Sequence, residues 1–171
     1  MPHNEARATV STRLAKSGDL EAIRSIYNQA IEDRSATLET APYDSFDMEQ
    51  WWSRHDERYA VVVAVEADGS ILGWASLNRF SERCAHSAIA DLSVYVKRDE
   101  RGRGVGRLLI GDLERRARGS FHKIVLHALN ANERGKRLYV GAGFREVGVL
   151  HEHGMLDDAF VDIVVMEKLL P

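Results

Sequence analysis

Apolar and polar positions change period several times along this chain, and each change marks an element. A weakly alternating stretch, Ala8–Leu14, reads as a first strand. Leu20, Ile23, Ile26, Tyr27 and Ala30 then recur at helical spacing behind Ser17-Gly18 and predict an amphipathic helix over Asp19–Ile31. Glu32–Tyr43 carries Pro42 and no clear period, so it reads as a loop. Asp47, with Gln50 three residues on, predicts the capped start of a short second helix containing Trp51 and Trp52. Tyr59–Ala67 and Ile71–Asn78 are β-rich runs on either side of the hairpin turn Asp68-Gly69, and Ser87–Val96 is a further long strand. Val105, Leu108, Leu109, Leu113 and Ala117 return to helical spacing up to Gly119. Lys123–Ala128 is an apolar, β-branched strand, and Asn132–Gly141 is a short helix stopped by Gly141 and Gly143. Phe144–Leu150 and Phe160–Leu169 close the chain as strands around the turn Leu156-Asp157-Asp158. This order implies an α/β fold, a mixed sheet of about seven strands with helices on both faces. It occupies residues 8–171 as one domain behind a polar, loose start, Met1–Arg7.

Composition changes little in that picture. At 171 residues, 44% apolar and 29% charged, the chain suits one globular domain, burying roughly 70% of its unfolded surface. No run approaches the ~20 apolar residues of a membrane span, and no charged-then-apolar leader pattern is present. The single cysteine, Cys84, excludes an internal disulfide and a zinc site, suits a reducing cytoplasm and reads as a small half-buried side chain. Charge is more informative. The net charge is −3, yet the segment Lys97–Lys123 is locally basic. A short basic strip in an acidic protein suits a compact polyanion better than a long nucleic acid, which takes a wider basic face. A solvated helix surface accounts equally for Arg115, Arg116 and Arg118.

Inside that strip lies Arg101-Gly102-Arg103-Gly104-Val105-Gly106, between a predicted strand and a predicted helix. Three glycines leave a row of main-chain N–H groups unshielded, and the helix start adds the positive end of its dipole, which together cradle a phosphate or diphosphate. A Rossmann loop would need glycine where Arg107 stands, and a P-loop needs a Gly-Lys-Ser/Thr run that is absent.

Strand, Arg-x-x-Gly-x-Gly, helix resembles the acetyl-CoA loop of the GCN5-related N-acetyltransferases. Further motifs follow in that family's order: Ser93-Val94-Tyr95-Val96 before the loop, and Asn-x-Asn-x6-Tyr-x3-Gly-Phe over Asn130–Phe144. Ile26-Tyr27-Asn28, Ala90–Val96 and the ending Asp162–Glu167 resemble the branch acting on phosphinothricin and methionine sulfoximine. The resemblance spans about residues 8–170. It implies a mainly antiparallel, twisted sheet splayed between its fourth and fifth strands, with acetyl-CoA as co-substrate, no metal, and a homodimer for which Phe160 and Val161 are a place. It also implies that Val94, Tyr95 and Val96 take the pantetheine arm as a pseudo-strand. Arg101, Gly102, Arg103, Gly104, Val105, Gly106 and Arg107 would hold the diphosphate, and Asn132 would reach the arm.

Acetylating an amine poses a proton problem at each end. An amine of lysine-like pKa of ~10.4 costs roughly 4–5 kcal/mol to deprotonate at neutral pH, so a carboxylate near the attack point helps, directly or through water. The resemblance assigns that role to Asp91, where the phosphinothricin branch carries the longer glutamate. The departing thiolate needs a donor. Tyr139 stands where the wider family has a tyrosine and the phosphinothricin branch has histidine.

For the amine substrate, the loops Glu32–Tyr43 and Asn78–His86 flank the expected mouth. Arg34, Arg79 and Arg83 can clamp a carboxylate or phosphinate. Leu38 replaces an aromatic residue of that branch, and His86 stands near its expected tyrosine. His151 and His153 alternate on one strand without a third ligand, which argues against a metal pair. Trp51, Trp52 and Trp74 pack the core or line part of the pocket. The expectation is an N-acetyltransferase for a small amino-acid-like amine, with no nucleic-acid or membrane partner. A protein N-terminal or lysine acetyltransferase and a non-catalytic acyl-CoA-binding module are the rivals.

Overall fold

A computed structural model describes residues 9–171; the expected loose start and Ala8 lie outside that range. Seven strands form one sheet: β1 (Ser11–Leu14), β2 (Val61–Val65), β3 (Ile71–Arg79), β4 (Ile89–Val96), β5 (Lys123–Leu129), β6 (Arg145–Leu156) and β7 (Ala159–Leu169). Their order across the sheet is β1-β2-β3-β4-β5-β7-β6, antiparallel at every step except the parallel pair β4–β5. Four helices complete the fold: α1 (Leu20–Asp33), α2 (Ser45–Trp52), α3 (Val105–Ala117) and α4 (Glu133–Gly141).

Strand alternation sorts the side chains into two cores. Val62, Ala75, Leu77, Ala90, Leu92, Ile124 and Leu126 face α3, whose Val105, Leu109, Leu113 and Ala117 are all buried against them. Leu108 belongs to the same predicted stripe, but it lies on the flank of the helix and is exposed. Val61, Val63 and Trp74 point to the other face, under Ile23, Ile26 and Met48 of α1 and α2. The sheet is thus covered by helices on both sides.

Three local expectations change. The second helix begins at Ser45, capped by Asp44: the Asp44 carboxylate accepts the Asp47 N–H at 2.9 Å, and the Asp47 carboxylate accepts the Asp44 N–H at 2.9 Å. A shorter partner at the third position thus serves as well as glutamine. The sixth strand runs on to Leu156, past a bulge between Leu150 and Gly154. Asp162 stitches that bulge by accepting the Glu152 N–H at 2.8 Å, where Glu152 takes a φ of 50°. Asp157 and Asp158 then make the hairpin turn, both at positive φ, as a tight two-residue turn requires. Cys84 is exposed, because it sits in a short 3-10 turn on the β3–β4 connection.

Asp19 anchors the start of α1 from a nearly buried position. Arg13 donates to its carboxylate at 2.7 and 3.0 Å, and the Lys16 N–H donates at 2.9 Å. The Arg13 hydrogen bond is the largest cause holding this carboxyl below the usual aspartate range. A depressed folded-state pKa stabilises the fold above the unfolded value of ~3.9, and this contribution is lost as pH falls through the folded value. Asp19→Asn is expected to remove about 1.5–3 kcal/mol at pH 7 and to leave a smaller difference from the parent at pH 3, read by urea unfolding at both pH values.

Candidate active site

β4 and β5 pair only at Ile89–Lys123, Ala90–Ile124 and Asp91–Val125, and then diverge. The Lys97 N–H donates to the Leu72 carbonyl at 2.8 Å, so odd-numbered residues of β4 turn their main-chain groups toward β3. Val94 and Val96, at even positions, therefore aim theirs into the gap. Such free edge groups are what an added extended chain pairs with. The Val96 carbonyl already accepts from Arg101 Nε at 3.1 Å.

Below the gap, Gly102 and Gly104 take φ values of 80° and 83°, in the region that favours glycine, and turn the chain into α3. The first helical bond runs from the Leu108 N–H to the Gly104 carbonyl, which leaves the amides of Val105, Gly106 and Arg107 without a helical partner. A side chain on Gly106 would lie 2.8 Å from Leu138, so this glycine lets α4 rest on the start of α3.

A cleft of about 310 Å³ opens at this loop, lined by Gly102, Gly104, Val105, Gly106 and Arg107 with Arg134 and Arg137 from α4. It shares Val96, Arg101, Arg134 and Leu138 with a second cleft of about 380 Å³ that reaches Val94, Tyr95, Asn132 and Tyr139. A third, of about 310 Å³, shares Ala36 and Tyr95 and continues past Thr37, Leu38, His127 and His153. The three form a continuous channel from the glycine loop through the splayed strands.

The cations divide between two tasks. Arg101 pairs with Asp33 at 2.7 Å, and Arg103 pairs with Glu100 and, at 3.8 Å, with Glu66, so both brace the loop. Arg107, Arg134 and Arg137 make no ion pair among the described residues and line the loop cleft. Arg134 and Arg137 escaped the sequence reading, although their spacing of three behind Asn132 places both on one helical face. The Asn132 side chain caps α4, accepting the Gly135 N–H at 2.9 Å, and the residue lines the middle cleft.

Asp91 and Tyr139 come from opposite faces of the sheet, near enough at its gap for the Asp91 charge to act on the Tyr139 hydroxyl. Asp91 shares its face with Trp74, Ser76 and Asn78 of β3; Tyr139 belongs to the core under α3. Asn78 Nδ2 donates to the Asp91 carboxylate at 3.4 Å and to Ser93 Oγ at 3.0 Å, while Asn78 Oδ1 accepts from Ser76 Oγ at 3.0 Å. Across the gap, His127 Nδ1 lies 3.4 Å from Asp91 Oδ1. Burial first, and the Asp91 charge second, push the Tyr139 hydroxyl up to about 12. It stays protonated at any assay pH, so it can donate a proton but cannot act as a resident base.

The residues expected to clamp the substrate scatter. Leu38 lines the third cleft and packs on Gly154, where a side chain would approach to 2.7 Å. Arg34 is spent on structure: at a φ of 52° it ends α1, donates to the carbonyls of Ile31 and Thr40, and pairs with Asp157 at 3.3 Å. Arg79 follows Leu77 onto the α3 face, over the Tyr59 ring at 5.2 Å, away from Asp91. Arg83 is exposed at the start of a 3-10 turn, and His86 lies 2.6 Å from Ser81 Oγ, edge-on to Phe80. These three line none of the three clefts, because the end of β3 and the β3–β4 connection that carry them sit at the paired end of β4, away from the gap.

Residues 22–144 match the model of the acetyltransferase (GNAT) family. The chain belongs to that family. The acetyltransferase is 30% identical over 161 residues to an L-methionine sulfoximine/L-methionine sulfone acetyltransferase of Pseudomonas aeruginosa, covering 93% of this chain and 94% of that one. It is also similar to the structure of a Sinorhizobium meliloti GNAT phosphinothricin acetyltransferase in complex with acetyl-CoA, with a TM-score of 0.89, 26% identity, and 95% and 89% of the two chains covered. A ribosomal-protein-alanine N-acetyltransferase from Brucella melitensis superposes with a TM-score of 0.88 at 31% identity, covering 93% and 99%. The resemblance read from the glycine loop and its neighbouring motifs is therefore shown, as is the mixed sheet with its parallel β4–β5 step. Among the described residues, no helix is long and apolar enough to cross a membrane, and no cluster of His, Cys, Asp or Glu could hold a metal.

Proposed function

We propose that this acetyltransferase moves the acetyl group of acetyl-CoA onto the primary amine of a small amino-acid-like substrate, of the phosphinothricin or methionine sulfoximine type. The observation that carries this reading is the channel itself. One end is a glycine cradle with three uncommitted arginines, suited to a diphosphate. The middle offers free strand-edge groups, suited to an amide-bearing arm. The far end is a half-open chamber lined by His127, which lies 3.4 Å from Asp91.

That chamber favours a small amine over a protein chain. Leu38 seated on Gly154 and the Arg34–Asp157 pair join the α1–α2 loop to the β6–β7 hairpin and wall the side along which a peptide would run. Ile163, Leu129 and Leu38 give the chamber an apolar lining, with His127, His153, Thr37 and Tyr95 as its polar residues.

The fit to acetyl-CoA rests on the amides of Val105, Gly106 and Arg107 with the charges of Arg107, Arg134 and Arg137. Each anion contact at a helix start contributes roughly 0.3–2 kcal/mol, so the set acts together. When bound there, the thioester supplies an activated acyl carbon. Asp91 lies on the amine side of the gap, as the negative charge that favours loss of the ammonium proton, and Tyr139 on the cofactor side, to protonate the departing thiolate. Transfer is then direct, within a ternary complex. Orientation of the two reactants is the larger contribution to rate, and each proton group adds ~10²–10⁴-fold.

Thiol release from acetyl-CoA with a panel of amines tests the reading. Methionine sulfoximine, phosphinothricin and free amino acids are expected to be acetylated well above a peptide with an N-terminal alanine. Turnover of the peptide alone would favour the protein-acetylating rival, and binding of acetyl-CoA without any turnover would favour the non-catalytic one.

A further inference from the structure

The geometry points to His127 as the group that takes the proton from the attacking amine, with Asp91 holding its imidazole; this deepens the acetyltransfer reading and rests on it. Three observations carry it. His127 Nδ1 faces Asp91 Oδ1 at 3.4 Å, while Nε2 makes no hydrogen bond among the described residues. The His127 side chain is 44% exposed, and the residue lines the chamber that holds Leu38 and His153. Asp91 is itself braced from behind by Asn78, whose own carbonyl is taken by Ser76 Oγ and faces His55 Nε2 at 2.9 Å.

Chemistry follows from the tautomer. A carboxylate accepts only, so neutral His127 carries its hydrogen on Nδ1 and leaves the Nε2 lone pair bare toward the chamber. An ammonium there loses one N–H proton to Nε2. The freed nitrogen pair then forms the bond to the acyl carbon as the carbon–sulfur bond breaks. Tyr139 protonates the departing thiolate, and the second nitrogen proton restores the phenol as the amide forms. The imidazolium is stabilised by the Asp91 charge until solvent takes its proton. The contact at 3.4 Å is long for a strong hydrogen bond, and catalytic pairs of this kind tighten when substrate enters. The arrangement also answers a problem of reach. Asp91 is a methylene shorter than a glutamate at the same strand position, and the imidazole extends the acceptor from the sheet into the chamber.

Other titratable groups near His127 are few. Tyr95 of β4 and His153 of β6 line the same chamber, and Tyr139 approaches from α4. Glu167 of β7 is occupied by Lys123 and Arg145, and Glu39 of the α1–α2 loop accepts from the Tyr43 hydroxyl at 3.4 Å. None of these competes for the Asp91 contact.

His127→Asn and His127→Ala are the test, assayed with an amine that the parent enzyme acetylates. His127→Asn keeps a donor toward Asp91 without a base and is expected to lower kcat by about 10²-fold or more, with the KM for acetyl-CoA unchanged. Imidazole added to His127→Ala is expected to restore part of the rate, which a merely structural side chain would not allow. Nitrogen NMR of the imidazole gives a readout independent of turnover: the proton sits on Nδ1 in the parent enzyme, and that preference vanishes in Asp91→Asn. Parent-like turnover by His127→Asn, or an Nε2–H tautomer in the parent enzyme, sinks the His127 assignment alone. Absence of thiol release by the parent enzyme with every amine sinks the acetyltransfer reading beneath it.

Discussion

Asp91→Asn is expected to lower kcat by about 10²–10⁴-fold while the KM for acetyl-CoA stays where it was. The substitution keeps size and shape and removes one charge. Two consequences follow, both on the amine side of the gap. His127 loses the acceptor-only partner that fixes its tautomer, because an asparagine can present its NH2 as readily as its oxygen, and the ammonium loses the negative charge that favours its deprotonation. The cofactor loop belongs to the other face of the sheet, behind Val96 and Leu138, so diphosphate contacts are untouched. Tyr139 responds as well. The Asp91 charge is the smaller of the two causes that raise its hydroxyl to about 12, so the variant lowers that value only in part, and burial still keeps the phenol protonated. Steady-state kinetics with both substrates varied separates the cases. A parallel fall in cofactor affinity would make Asp91 a structural residue of the loop, and unchanged turnover would remove it from the chemistry.

The second large effect is on stability. Trp74 is 3% exposed and sits at the centre of an aromatic cluster, with ring centroids 4.9 Å from Tyr95, 5.1 Å from Trp51 and 5.9 Å from Tyr27. Truncating such a ring leaves a cavity that rigid neighbours on α1, α2 and β4 cannot fill, at a cost of about 3–5 kcal/mol. That is a large share of the ~5–15 kcal/mol available to a domain. For a chain of this length it lowers Tm by about 6–20 °C. Trp74→Phe keeps most of the packing and removes an indole N–H that has no partner among the described residues, so its expected cost is far smaller. Calorimetry of the two variants checks both. Near-equal losses would mean that the indole N–H, rather than ring volume, holds the cluster. The same cluster includes Tyr95 and adjoins Ser93, both on β4 at one edge of the gap, so Trp74→Ala is also expected to loosen the wall of the channel.

Much of the fold was legible because it is periodic. The spacing of Val105, Leu109, Leu113 and Ala117 is a helix with one buried stripe, and that stripe is what α3 presents to the sheet. Asp68-Gly69 is a turn because Gly69 takes a φ of 87° that few other residues adopt cheaply. The glycine loop was legible for the same local reason. Misreadings came where local rules tie. Asp47 has the residue type and spacing of a cap, yet the reciprocal pair of bonds puts it at the third helical position under Asp44. A bulge stitched by a carboxylate ten residues away, as Asp162 does for Glu152, has no local signature, so β6 was read too short.

Local order along this chain, its turns, helical stripes and the amide cradle before α3, was determined by residues within a few positions of each other, which is why the sequence by itself carried it and the family with it. Only the tertiary structure decided which charges were already committed. Arg101 and Asp33 are far apart in sequence, as are Arg34 and Asp157, and each pair is set by how α1 lies against β4 and the last hairpin. The meeting of Asp91 with His127, 36 residues apart, is likewise a product of strand register, since β5 arrives beside β4 only after α3 has crossed the sheet.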